Sequence, residues 1–120
     1  MNSKTRSNIR FEDAIYKQIN ILKDNRGFDT FIETTKFLIR FAELSTRRWS
    51  IEDLPVLTYK NRIEQTITFH PNLLVLIDTY HINVEESLSR NDRINYLCYI
   101  GLKEYAKLLQ VREGDECDKK

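Results

Sequence analysis

Residues 65–80, QTITFHPNLLVLIDTY, hold the reading from which the rest follows. Ile67 and Phe69 are apolar around the polar Thr68, and an alternation this brief fits a half-buried strand of about five residues. Pro71 then suits the first turn of a helix, where its missing N–H costs little. Leu73, Ile77 and Tyr80 follow at i, i+4 and i+7, which sets them on one helical face. The same grammar stands earlier in the chain, in residues 7–22, SNIRFEDAIYKQINIL. There Ile9 and Phe11 flank Arg10, and Ile15, Ile19 and Leu22 repeat the helical spacing. Ile9 to Ile67 and Phe11 to Phe69 are both 58 residues apart.

Working outward, each strand–helix unit runs into a turn and then a second helix. Asn25-Arg26-Gly27 ends the first helix, with Gly27 suited to the left-handed conformation; the longer stretch His81–Leu88 turns the second half. Thr30-Phe31-Ile32-Glu33 and Ser89-Arg90-Asn91-Asp92 both read as capping boxes, in which hydroxyl and carboxylate serve free backbone N–H groups. Beyond them, Thr35, Leu38, Ile39 and Ala42 match a longer stripe of Ile94, Leu97, Cys98, Gly101, Leu102, Tyr105 and Leu109. Thr30 to Ser89 and Leu38 to Leu97 are 59 apart, so one residue is inserted in the second turn. The chain therefore divides into repeat 1 (7–44), a connector (45–63), repeat 2 (65–109) and an acidic, flexible tail (113–120). Trp49, Ile51, Leu54, Val56 and Leu57 predict a connector packed on the body, with Pro55 barring a helix there.

Neither repeat, at about 40 structured residues, can bury a stable core alone without disulfides or metal. A lone strand also exposes both edges. Pairing the two strands antiparallel over four packed helices removes both difficulties. The expected architecture is one domain over residues 1–120, mainly α with a short two-stranded antiparallel ribbon, built as a pseudo-dimer of its two halves.

Strand, helix, turn and capped helix, with Ile-x-Phe before the first helix of each half, resembles the ribbon-helix-helix (MetJ/Arc) superfamily in its tandem single-chain form. Such forms are similar to transcription regulators of archaeal filamentous viruses and to TraY-type plasmid-transfer proteins. The resemblance implies a sequence-specific, double-stranded DNA-binding transcription regulator whose ribbon enters the major groove. Arg6, Asn8 and Arg10 with Glu64, Thr66 and Thr68 would then face the bases, while Ile9, Phe11, Ile67 and Phe69 face the core. Arg10 would pair with guanine, Asn8 with adenine, and Thr68 with a thymine methyl. The family also anchors phosphates at the N-terminus of the second helix; Thr30, Phe31, Ser89 and Arg90 hold those places. Glu64 facing phosphates would repel them, so it either lies beyond the groove or accepts from a cytosine amino group; unlike half-sites are expected, with chains self-associating on adjacent sites. The alternatives are a relaxosome accessory protein of conjugative transfer and, more remotely, an antitoxin or interaction module.

Composition narrows the rest. The 120 residues are 41% apolar and 31% charged, with a net charge of +1, which fits a globular chain and names no partner. Residues 1–48 hold ten basic and six acidic side chains, and residues 49–120 hold nine and twelve. No apolar run reaches the roughly 18 residues of a membrane span, and MNSKTRSNIRF lacks a signal peptide's apolar stretch. A cytoplasmic, non-membrane protein is expected. His70 and His81 lack a partner at ligand spacing, and Cys98 and Cys117 are too few for a zinc cage, so no metal or cofactor is expected. Gly-rich phosphate loops, HExxH and CxxC are all missing, and no enzymatic activity is expected.

Overall fold

A computed structural model describes the backbone of residues 4–118 and the side chains of residues 4–110. In chain order the elements are β1 (Thr5–Arg10), α1 (Asp13–Arg26), α2 (Phe31–Phe41), β2 (Trp49–Ser50), β3 (Glu64–Phe69), α3 (Pro71–Thr79), β4 (Ile82–Asn83) and α4 (Arg90–Asp118). Short 3₁₀ turns occupy Ala42–Leu44 and Ile51–Asp53. The chain is mainly helical, with four helices and a small two-stranded antiparallel sheet. No helix of the described residues is long and apolar enough to cross a membrane.

β1 and β3 pair antiparallel with Arg6 opposite Thr68, Asn8 opposite Thr66 and Arg10 opposite Glu64. The Phe11 N–H donates to the Ile63 carbonyl (2.8 Å), which carries the ladder one step further. The alternation in the sequence explains why this ribbon stays down: Ile9, Ile67 and Phe69 are buried beneath it, and Phe11 is fully buried just past its end. Shifting either strand by one residue would expose this set, so register is strongly specified.

The helices begin and end where local chemistry allows. Gly27 closes α1 at φ 73°, with its N–H donating to the Lys23 carbonyl. Pro71 opens α3, and the His70 Nδ1 accepts from the Asn72 N–H (3.1 Å), making a histidine the cap. Thr30 Oγ1 accepts from Glu33 N–H (3.0 Å), and Ser89 Oγ accepts from Asp92 N–H (3.1 Å). Ile15, Ile19 and Leu22 on α1 and Leu73 and Ile77 on α3 all face inward. Tyr80, expected on the α3 stripe, lies just beyond that helix and donates from its hydroxyl to the Ala42 carbonyl (3.2 Å).

α2 and α4 form the most extensive helix pair. Leu38, Ile39 and Ala42 meet Ile94, Leu97, Cys98 and Ile100 in the fully buried centre. At the crossing the two backbones touch through Gly101: a Cβ placed there would lie 2.2 Å from the Leu38 carbonyl oxygen. Thr34 and Thr35, also buried, donate to the Thr30 and Phe31 carbonyls (both 2.9 Å), so their hydroxyls are satisfied inside. Burial pushes the Cys98 thiol far up, which leaves it an inert core group.

The structure differs from the sequence reading elsewhere as well. The carboxylate halves of the two capping boxes do not close: Asp92 instead accepts from a tyrosine of the connector, and only Thr30 itself caps α2. A full capping box does form at Ser50 and Asp53, in the connector. There Trp49 is buried as expected, donating to Ser45 Oγ (2.9 Å), but Trp49–Ser50 also pairs parallel with Ile82–Asn83. Val56 is 81% exposed, because Leu54 and Leu57 on either side of it take the inward positions. Finally, α4 continues to Asp118 through most of the stretch read as a tail; one glycine, Gly114, costs a helix only about 1 kcal/mol. Residues 119–120 and the Cys117 side chain lie outside what is described.

Candidate nucleic-acid interface

The alternation that buries Ile9, Ile67 and Phe69 turns the intervening side chains outward. Arg6, Asn8, Thr66 and Thr68 are exposed and form two directly facing cross-strand pairs. The row offers guanidinium and amide donors, amide and hydroxyl acceptors, and two threonine methyls on one ribbon face. At about 3.4 Å per residue the six-residue strands extend roughly 20 Å.

The third pair, Arg10 with Glu64, is not free. Arg10 folds sideways, its Nη2 donating to the Tyr59 carbonyl (2.8 Å) and its guanidinium lying 5.7 Å from the Tyr59 ring centre. Its Nε is buried without a hydrogen-bond partner. Arg10 was expected to project outward for base contact; the carbonyl and ring of Tyr59 hold it on the protein instead. Glu64 is exposed and accepts from Arg62 Nε (3.2 Å). The Arg62 hydrogen bond holds the Glu64 carboxyl below its usual range.

The expected phosphate anchors separate by role. Thr30 and Ser89 cap α2 and α4, which leaves the N–H groups of the first two helical residues without partners inside the helix. The Phe31 ring is drawn into an aromatic group with Phe11 (5.1 Å, edge to face) and Tyr16 (4.9 Å), so only its backbone remains available. Arg90 is committed to Asp78 through Nε (3.0 Å) and Nη2 (2.6 Å), and that guanidinium holds the Asp78 carboxyl below the usual carboxylate range. Arg47 pairs with Asp53 (3.0 Å) and stacks on Trp49 (4.3 Å), which makes it a connector contact.

A polar cluster at the Arg10 end of the ribbon was not foreseen. Asn91 Nδ2 donates to the Arg10 carbonyl (3.0 Å), while its Oδ1 accepts from the Arg10 N–H (2.8 Å). Asn95, fully buried, donates to the same carbonyl (2.9 Å) and accepts from the Glu12 N–H (2.9 Å). The Glu12 carboxylate accepts from the N–H groups of Thr58 and Tyr59 (both 2.8 Å), holding Tyr59 at φ 50°. The Tyr59 hydroxyl donates to Asp92 (2.5 Å) and accepts from Asn91 (3.1 Å). The cluster clamps strand, connector and α4 together. Two asparagines one turn apart on an otherwise apolar face were the available sign of it.

Burial, followed by the bond to Asp92, pushes the Tyr59 hydroxyl well above its ordinary range, and burial raises Tyr80 and Tyr96 as well. Tyr59→Phe should cost about 2 kcal/mol, because a bond to a charged acceptor is lost. Unfolded tyrosine ionises near pH 10 whereas folded Tyr59 does not, so wild-type stability falls as the pH climbs past about 10. The variant should lose less over that range. Urea denaturation at pH 7 and at higher pH checks both.

The chain is thus a mainly helical protein whose two-stranded ribbon presents a polar outer face. No protein-family model, curated protein or solved structure matches it.

Proposed function

We propose that this chain is a tandem ribbon-helix-helix protein that binds double-stranded DNA sequence-specifically, as a transcriptional regulator, by laying β1 and β3 in the major groove. The observation that carries the reading is the ribbon register. The two strands pair so that Arg6 faces Thr68 and Asn8 faces Thr66 on the exposed side, with the apolar alternates beneath. A two-stranded ribbon fits a groove about 12 Å wide, and arginine and asparagine are the side chains that pair bidentately with guanine and adenine edges. Two capped helices, α2 and α4, add N-terminal N–H groups of the kind that hold phosphates. The two strands carry different outward residues, so unlike half-sites are expected.

Selection from a random duplex pool at two salt concentrations tests the reading. The wild type should enrich a short, non-palindromic motif, with affinity falling as salt rises. Arg6→Ala should weaken binding to that motif by about 1–3 kcal/mol and relax the preference at one base pair. Failure to enrich any motif, or equal binding by the wild type and an Arg6→Ala/Asn8→Ala double variant, would sink it.

A further inference from the structure

Resting on the DNA-binding reading above, we propose that Arg62, a connector residue, is the second base-reading arginine of the ribbon, and that Arg10 is a positioning residue that fixes the connector to the ribbon end. The ladder does not stop at the Arg10–Glu64 pair: the Phe11 N–H bonds to the Ile63 carbonyl, and Ile63 packs against the core. With Ile63 inward, Arg62 falls on the outward row two residues before Glu64, and it bonds to that same Glu64. The outer edge of this strand therefore runs Arg62, Glu64, Thr66, Thr68.

The chemistry of the two arginines is opposite. The Arg62 side chain is 80% exposed and is held through Nε by Glu64 Oε1. A carboxylate at Nε orients the guanidinium and leaves both terminal nitrogens for a bidentate contact such as guanine O6 and N7. Glu64 then acts as a buttress for Arg62 and not as a charge facing phosphates. Arg10 gives one terminal nitrogen to the Tyr59 carbonyl, rests against the Tyr59 ring and keeps its Nε buried. Freeing it for a base would break its hydrogen bond to the left-handed Tyr59, which the Glu12 carboxylate holds from the other side.

Full-length wild type, Arg62→Ala and Arg10→Met are compared by duplex selection, by affinity at fixed salt and by thermal melting. Arg62→Ala should weaken binding about 10- to 100-fold and flatten one position of the selected motif, with the melting temperature unchanged. Arg10→Met should lower the melting temperature and leave the motif of the folded protein as it was. An unaltered motif for Arg62→Ala, even with uniformly weaker binding, overturns base reading by Arg62. A motif position lost in Arg10→Met with its melting temperature intact overturns the positioning role. Because Arg62 is exposed, its variant carries the test even where Arg10→Met does not fold. A wild type that selects no motif brings down the DNA-binding reading itself, an outcome distinct from a wild type that selects while Arg62→Ala selects identically.

Discussion

Replacing Gly101 by alanine is expected to cost about 3 kcal/mol or more of folding stability, an unusually large effect for a single added methyl. The new Cβ would stand 2.2 Å from the Leu38 carbonyl oxygen and 2.8 Å from the Leu38 carbonyl carbon. Both are backbone atoms, so no side chain can rotate away. Ordinary contact requires α2 and α4 to move apart by about 1 Å, and that opens gaps around Leu97, Cys98 and Ile100, all fully buried. Helix propensity works the other way, favouring alanine by roughly 1 kcal/mol, but it is outweighed. Chemical denaturation of Gly101→Ala checks this; a stability equal to or above the wild type would mean that the helices do not cross at Gly101. Under the proposed DNA-binding reading, the variant should also lose binding in proportion to the unfolded fraction.

Asn95→Asp should do comparable damage while leaving the shape of the side chain almost unchanged. Asn95 is fully buried, and its amide donates to the Arg10 and Asn91 carbonyls while its oxygen accepts from the Glu12 N–H. An ionised aspartate can make only the last of these and brings a charge into a closed site. The expected cost at neutral pH is about 3–5 kcal/mol, as for an uncompensated buried charge. Burial favours the protonated acid, so the folded-state pKa of the new carboxyl is raised above its unfolded value near 4. The deficit is smallest below about pH 4 and grows as the pH rises. Asn95→Ala, which orphans the Glu12 N–H without adding charge, should cost about 2–3 kcal/mol with no such pH dependence. Denaturation of both variants at pH 4 and pH 7 separates the two mechanisms, and parallel curves would remove the charge argument.

Both effects concern contacts that α4 makes with segments distant in sequence, and they divide what could be read in advance from what could not. The two strands, their inward residues and the four helices were legible, because apolar spacing of period two or 3.6 records which face is to be buried, and each record is local. Gly27, Pro71, Thr30 and Ser89 were legible for the same reason: a cap or a turn is completed within a few residues of itself. The outward row at Arg6, Asn8, Thr66 and Thr68 followed directly, since one face of a strand implies the other.

Arg10 and Glu64 show where local pattern stops. Alternation places both on the outer face, but the Arg10 guanidinium goes to Tyr59, 49 residues away in sequence. Asp92 likewise leaves its own helix cap for the Tyr59 hydroxyl, and Asn95 spans to Glu12. A polar side chain takes the partner that loses least water and entropy in the folded state, and that partner is set by how distant segments come together. Spacing along the chain carries the burial of apolar groups, which is one-sided and additive; the pairing of charges and amides exists only once the connector has crossed the ribbon end.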